Sequence, residues 1–176
     1  MLCRVEMPTN EHIFGRFYRY QMIRGSDSAS SRMNLIILPV ILILAAIFMV
    51  VAAGNWLFPV IVLALTGAYL GYMLYLRPNS LFHKKAGIAL QTEVYIFTEN
   101  GFTRSVRSEE GGMPDNTSGR YDGLLAAVET KNDFYLYTGR TQAYLVGKGE
   151  FTNGTTEKLR AMLQKTMEDK FKTKQE

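Results

Sequence analysis

The sequence predicts an α+β protein in which a two-helix transmembrane hairpin joins a small antiparallel-sheet domain capped by a C-terminal helix. Three observations predict it. Between Arg32 and Arg77 the chain runs 44 residues without a charged side chain, long enough to cross a bilayer twice at about 20 residues per span. Beyond residue 90 apolar residues alternate with polar ones, the period of half-buried strands. Near the C-terminus Leu159, Met162, Leu163, Thr166 and Met167 recur at helical spacing and give one face to pack on a sheet.

The organisation expected is a basic, aromatic N-terminal segment (1–32), the hairpin (33–76) and a cytoplasmic domain (77–176). Residues 9–24 read TNEHIFGRFYRYQMIR, with Arg16, Arg19 and Arg24 set among aromatics. Such a stretch either lies on the membrane surface, where each Arg near an anionic leaflet is worth about 1 kcal/mol, or packs on the C-terminal domain as a strand or short helix. SDSASS at 26–31 is a polar linker.

The spans are 33–53 and 56–76, reversed at Gly54-Asn55, a pair that tolerates positive φ. Pro39 falls early in the first span, where its missing N–H leaves little unsatisfied. Trp56, Tyr72 and Tyr75 suit the headgroup level. In the second span Gly67 and Gly71, with Ala64 and Ala68, make a flat helix-packing face for the first span or for a second copy of the chain. Neither span contains an ionisable Asp, Glu, Lys, Arg or His, so the residues that mark proton relays and ion paths are missing and a transporter working alone is not expected.

Charge sets the orientation. Arg16, Arg19, Arg24 and Arg32 precede the first span, Arg77, Lys84 and Lys85 follow the second, and the turn between carries none. Cationic flanks mark the cytoplasmic side, so the protein is expected in the cell membrane with both termini cytoplasmic and these residues at the membrane surface. A cleaved signal peptide is not expected, because 32 residues before the apolar run are long for an n-region. Cys3 is the single cysteine. It excludes an intramolecular disulfide, fits a reducing compartment and reads as an incidental terminal residue.

In the domain a short basic helix is expected at 79–85. Strands follow at 94–98 and 102–107 around a Glu99-Asn100-Gly101 turn, with a flexible loop over 108–119. Further strands at 124–130, 134–138 and 142–146 complete an antiparallel meander, and a helix over 155–172 closes it. Strands capped by one helix are the arrangement of pleckstrin-homology-like (PH-like) domains.

Tyr121-Asp122-Gly123-Leu124, the run from Val128 to Tyr137, and Tyr95 to Phe102 together resemble the YcxB-like proteins of bacteria. The resemblance covers nearly the whole chain and is clearest over 94–152. It implies an N-terminal segment and two membrane helices before a compact domain, and it implies no defined activity. At Gly147-Lys148-Gly149-Glu150-Phe151-Thr152 the chain departs from the family, which has a Pro-Lys-Arg-type step before the final Phe.

No nucleophile, zinc, dithiol, Walker or dinucleotide motif occurs, so no catalytic residue, cofactor or metal is expected. His12 and His83 stand alone. Gly147-Lys148-Gly149 lacks the spacing of a phosphate loop, and Arg120, Tyr121 and Asp122 read as a turn. Asn116-Thr117-Ser118 and Asn153-Gly154-Thr155 are glycosylation sequons that a cytoplasmic domain would not use. Residues 77–176 hold 15 Lys and Arg against 13 Asp and Glu, a balance that does not suit nucleic acid.

The function expected is a non-enzymatic, membrane-anchored interaction module, with the bilayer and an unidentified membrane or cytoplasmic protein as partners and a homo-oligomer as a further form. A protein partner is favoured over a lipid, since no dense cationic pocket is evident in the sequence. The alternative is an accessory or regulatory subunit of a larger membrane complex, assembled through the transmembrane helices.

Overall fold

A computed structural model describes residues 2–8, 11–24, 29–54, 56–86, 91–108 and 115–174. The chain divides into two compact units, Met1–Phe14 with Ala86–Glu176, and Gly15–Lys85. The boundary falls inside helix α1 (Glu11–Arg24).

The first unit is built on two sheets. Strands β1 (Cys3–Pro8), β2 (Gln91–Phe97), β3 (Gly101–Ser108) and β4 (Asp115–Arg120) pair antiparallel in sequence order, and the short β8 (Phe151–Asn153) adds to the free edge of β1. In the second sheet β5 (Ala126–Glu129), β6 (Asp133–Tyr137) and β7 (Ala143–Gly147) are antiparallel. Here β9 (Phe171–Thr173) lies parallel to β5. Helix α5 (Thr156–Met167) is N-capped by Thr155, whose hydroxyl accepts the Lys158 N–H. Leu159, Leu163 and Met167 of α5 are buried in one cluster with Val5, Phe97, Phe134 and Val146.

The α+β class and the main strand runs agree with the sequence; the short β8 is an addition, and other elements differ as follows. CRVEMP at the N-terminus is a strand: Cys3, Val5 and Met7 are buried while Arg4 and Glu6 are half-exposed and form an ion pair. The expected loop at 108–119 contains β4, which carries the Asn116-Thr117-Ser118 sequon as an exposed, polar edge strand; residues 109–114 lie outside the described ones. The C-terminal helix ends at Met167, its last apolar contact, because Glu168 takes a positive φ of 42°. One three-residue turn then leads into β9, so the domain is not a single antiparallel meander.

The second unit is helical. Helices α2 (Ala29–Ala53) and α3 (Leu57–Gly71) contact each other. A π-helical turn (Tyr72–Leu76) joins α3 without a break to α4 (Arg77–Ala86). In this turn the Arg77 N–H donates to the Tyr72 carbonyl, five residues back, and the helix continues through Pro78 instead of stopping at Leu76. Among the described residues one helix, Leu57–His83, is long and apolar enough to cross a membrane; the apolar part of α2, Pro39–Ala52, is shorter. Asn55 of the expected turn lies outside the described residues. Gly54 before it has a φ of +59°, which suits a reversal.

Gly154 fixes the turn from β8 to α5 against β1. Its φ is +81°, and an added Cβ would stand 2.7 Å from Cys3 Sγ and 2.8 Å from the Leu2 carbonyl oxygen. Gly154→Ala should therefore destabilise the domain by about 1–3 kcal/mol, read as a lower midpoint in thermal unfolding. An unchanged midpoint would mean that β1 is not held at this turn.

Candidate functional site: a cationic cavity around Glu129

Glu129 ends β5 with a side chain 2% exposed. An isolated carboxylate there would be strongly disfavoured, and three donations offset its burial. Arg160, on the outer flank of α5, donates from Nε to Oε2 at 2.7 Å and from Nη2 to Oε1. Lys148, directly after β7, donates from Nζ to Oε1 at 2.6 Å. Burial alone would raise the carboxyl's pKa; the hydrogen bonds from Arg160 and Lys148 outweigh it and hold Glu129 below its ordinary value.

The backbone explains why these groups meet. Thr130 N–H donates to the Asp133 carbonyl at 2.9 Å, and Thr130 Oγ1 lies 3.0 Å from the same oxygen and accepts the Asp133 N–H, which closes the β5–β6 turn. Lys148 N–H donates to the Asn132 carbonyl at 2.9 Å, docking the residue after β7 onto this turn. Lys174 N–H donates to the Glu129 carbonyl at 2.8 Å, continuing the β5–β9 pairing. The Lys148 ammonium also sits 5.1 Å from the centre of the Phe134 ring.

These elements surround an open cavity of about 320 Å³ lined by Glu129, Thr130, Lys131, Lys148, Arg160, Thr173 and Lys174. Four of the seven are cationic and one is anionic, a concentration that the near-neutral balance of residues 77–176 conceals. The dense cationic pocket not evident in the sequence is assembled from positions far apart along the chain.

The other sites read from the sequence are distributed as follows. Arg19 lies with its guanidinium 5.6 Å from the centre of the Tyr75 ring, so two expected membrane-surface residues are brought together. Trp56, Tyr72 and Tyr75 are exposed, and Arg16 and Arg77 half-buried. The side chains of Arg24, Arg32, Lys84 and Lys85 lie outside those described. Of the helix-packing set Ala64, Gly67 and Ala68 are exposed and Gly71 is half-exposed. A Cβ added at either glycine would meet no described atom within 4 Å.

Tyr121 is buried, with its hydroxyl 2.9 Å from the carbonyl oxygens of both Thr98 and Gly101, which latches the β2–β3 turn. Burial pushes its pKa above the usual tyrosine value. Arg120 and Asp122 form an exposed ion pair at 3.2 Å. Cys3 is buried too, and its thiol lies 3.7 Å from the Thr155 carbonyl. Among the described residues no group of three or more His, Cys, Asp and Glu is placed to hold a metal ion.

The Glu129 cluster makes stability depend on pH with a definite sign. A carboxyl held below its unfolded value of about 4.3 contributes fully above that pH, and the contribution is lost as pH falls through the folded pKa. Glu129→Gln should cost about 1–3 kcal/mol at neutral pH. The gap to the natural chain should narrow below about pH 4.3; a gap that stays constant with pH would contradict the assignment. Comparison with protein-family models, with curated proteins and with solved structures finds no match to this chain.

Proposed function

We propose that this chain is a membrane-anchored, non-enzymatic interaction module of the YcxB-like kind. In this reading α2 and α3 form a two-span transmembrane hairpin, both termini are cytoplasmic, and the α+β domain meets a protein or lipid partner at the inner membrane surface. The observation that carries the proposal is the insertion of these helices between two hydrogen-bonded strands. Pro8 of β1 pairs with Thr92 of β2, and the chain between them contains both apolar helices. A domain that sends out and takes back its anchor from neighbouring strands is tethered at one end of a sheet.

Two further features support it. Large apolar side chains from Ile36 to Leu76 are exposed along both helices, far more than the isolated patches a soluble monomer carries. Four consecutive antiparallel strands, then three, then a helix match the PH-like grouping, with β8 and β9 added at the sheet edges.

A second reading, an accessory or regulatory subunit assembled through the transmembrane helices, is favoured by one observation. Among the described residues nothing lies within 4 Å of a Cβ added at Gly67 or Gly71, and such a small-residue face lets another helix, of a partner or of a second copy, approach closely.

The full-length chain should resist alkaline carbonate extraction. Released in mild detergent, it should retain a lipid or a second protein in native mass spectrometry. Gly67→Leu with Gly71→Leu should abolish a helix-mediated partner and leave a domain-bound one in place. A carbonate-soluble chain, or a bare monomer in every mild detergent, would contradict the proposal.

A further inference from the structure

We infer that Asn100, in the β2–β3 turn, is a site of covalent self-modification, where the Gly101 nitrogen attacks the Asn100 side-chain amide and leaves an isoaspartyl link. This chemistry depends neither on membrane anchoring nor on a partner. The chain contains two Asn-Gly pairs, Asn100-Gly101 and Asn153-Gly154, and in such a pair no Cβ hinders the attacking nitrogen. Asn100 and Asn153 are both exposed. What separates them is the backbone.

The turn at Asn100 is closed by one main-chain bond, from the Thr98 N–H to the Gly101 carbonyl at 2.8 Å. The Thr98 carbonyl, which would accept the reciprocal bond, lies instead 2.9 Å from the Tyr121 hydroxyl. Among the described residues neither the Gly101 N–H nor the Asn100 carbonyl is hydrogen-bonded, so the peptide between them turns without breaking a bond. The Asn100 side chain likewise has no hydrogen-bond partner among the described residues. Glycine at 101 is demanded by the sheet, because an added Cβ would run into the Gly119 carbonyl oxygen of β4. A packing requirement in β3 thus places a glycine directly after an unrestrained asparagine.

Asn153-Gly154 is held differently. Asn153 is paired with Arg4 of β1, and a Cβ added at Gly154 would stand 2.7 Å from Cys3 Sγ and 2.8 Å from the Leu2 carbonyl oxygen. Turning that peptide toward the Asn153 side chain requires β8 to open from β1, a local unfolding that slows the reaction by its equilibrium constant.

The reaction needs only water. The Gly101 nitrogen loses its proton to solvent base and bonds to Asn100 Cγ; the Cγ–Nδ2 bond breaks and ammonia leaves. Water then opens the succinimide. Opening at Cγ gives aspartate, and opening at the main-chain carbonyl gives isoaspartate, in which the main chain runs through Cβ and Cγ. The extra main-chain atom lengthens a turn whose two central residues fix the β2–β3 register, and it releases the contacts of Tyr121 with Thr98 and Gly101.

The test is peptide mapping by mass spectrometry of the full-length chain in nonionic detergent, incubated in mildly alkaline buffer, with a parallel sample in denaturant. Electron-transfer fragmentation separates isoaspartate from aspartate. In the folded chain Asn100 should convert about tenfold or more faster than Asn153, a barrier difference of about 1.4 kcal/mol; in denaturant the two rates should converge. The thermal midpoint of the natural chain should fall as isoaspartate accumulates. That of Asn100→Gln, whose longer side chain closes the ring far more slowly, should hold. Equal rates in the folded chain, faster conversion at Asn153, or an unmodified Asn100 after the denatured chain has converted would overturn the inference. A midpoint unchanged in fully converted protein would refute the release of the Tyr121 latch.

Discussion

The pairing of β1 with β2 is the contact on which the rest of the structure depends. The two strands match over six residue pairs, from Cys3 opposite Phe97 to Pro8 opposite Thr92, although two long helices separate them in the chain. Closing so long a connection is less costly than its length suggests, because loop entropy grows only logarithmically, about 0.6 kcal/mol per doubling. The return is large. β1 buries Cys3, Val5 and Met7 in the core, supplies the edge on which β8 pairs, and braces the turn at Gly154 from which α5 starts. Without it the first sheet would lose a central strand and α5 much of its support.

The cationic cavity follows from the same framework at one remove. Once α5 is seated with Leu159 and Leu163 inward, Arg160 falls on the flank of the helix, within reach of the end of β5. The docking of Lys148 onto the β5–β6 turn brings the second cation. A buried carboxylate then becomes the clamp that orders both. Removing one partner from such a cluster is costly because the remaining charge stays buried.

How much was legible in the sequence follows from where the signals lie. VYIFT and FYLYT announced β2 and β6 by dense β-branched and aromatic content. The apolar helices announced themselves by the absence of charge. β1 carries an alternation of Cys, Val and Met against Arg and Glu, but over a stretch so short and so far from the other strands that by sequence it belongs with the N-terminal segment. β4, with the sequence DNTSGR, has turn-forming composition and is a strand only because β3 offers it a ladder. β9 is three residues long and exists through parallel pairing with β5. The candidate site was hidden for a related reason. Glu129, Lys148 and Arg160 have no common motif, and their meeting is a property of sheet register and helix seating. Net charge, averaged over the domain, erased the local excess.

The central claim is that residues from both sides of the inserted helices form one domain. It is tested most directly by replacing Gly15–Lys85 with a short Gly-Ser linker, keeping Ile13 and its contacts, and measuring amide hydrogen exchange. The account predicts a soluble domain in which the amides of Cys3–Pro8 are protected as strongly as those of β2 and are lost in the same cooperative opening. Fast exchange throughout Cys3–Pro8 in a domain that is otherwise protected would contradict it.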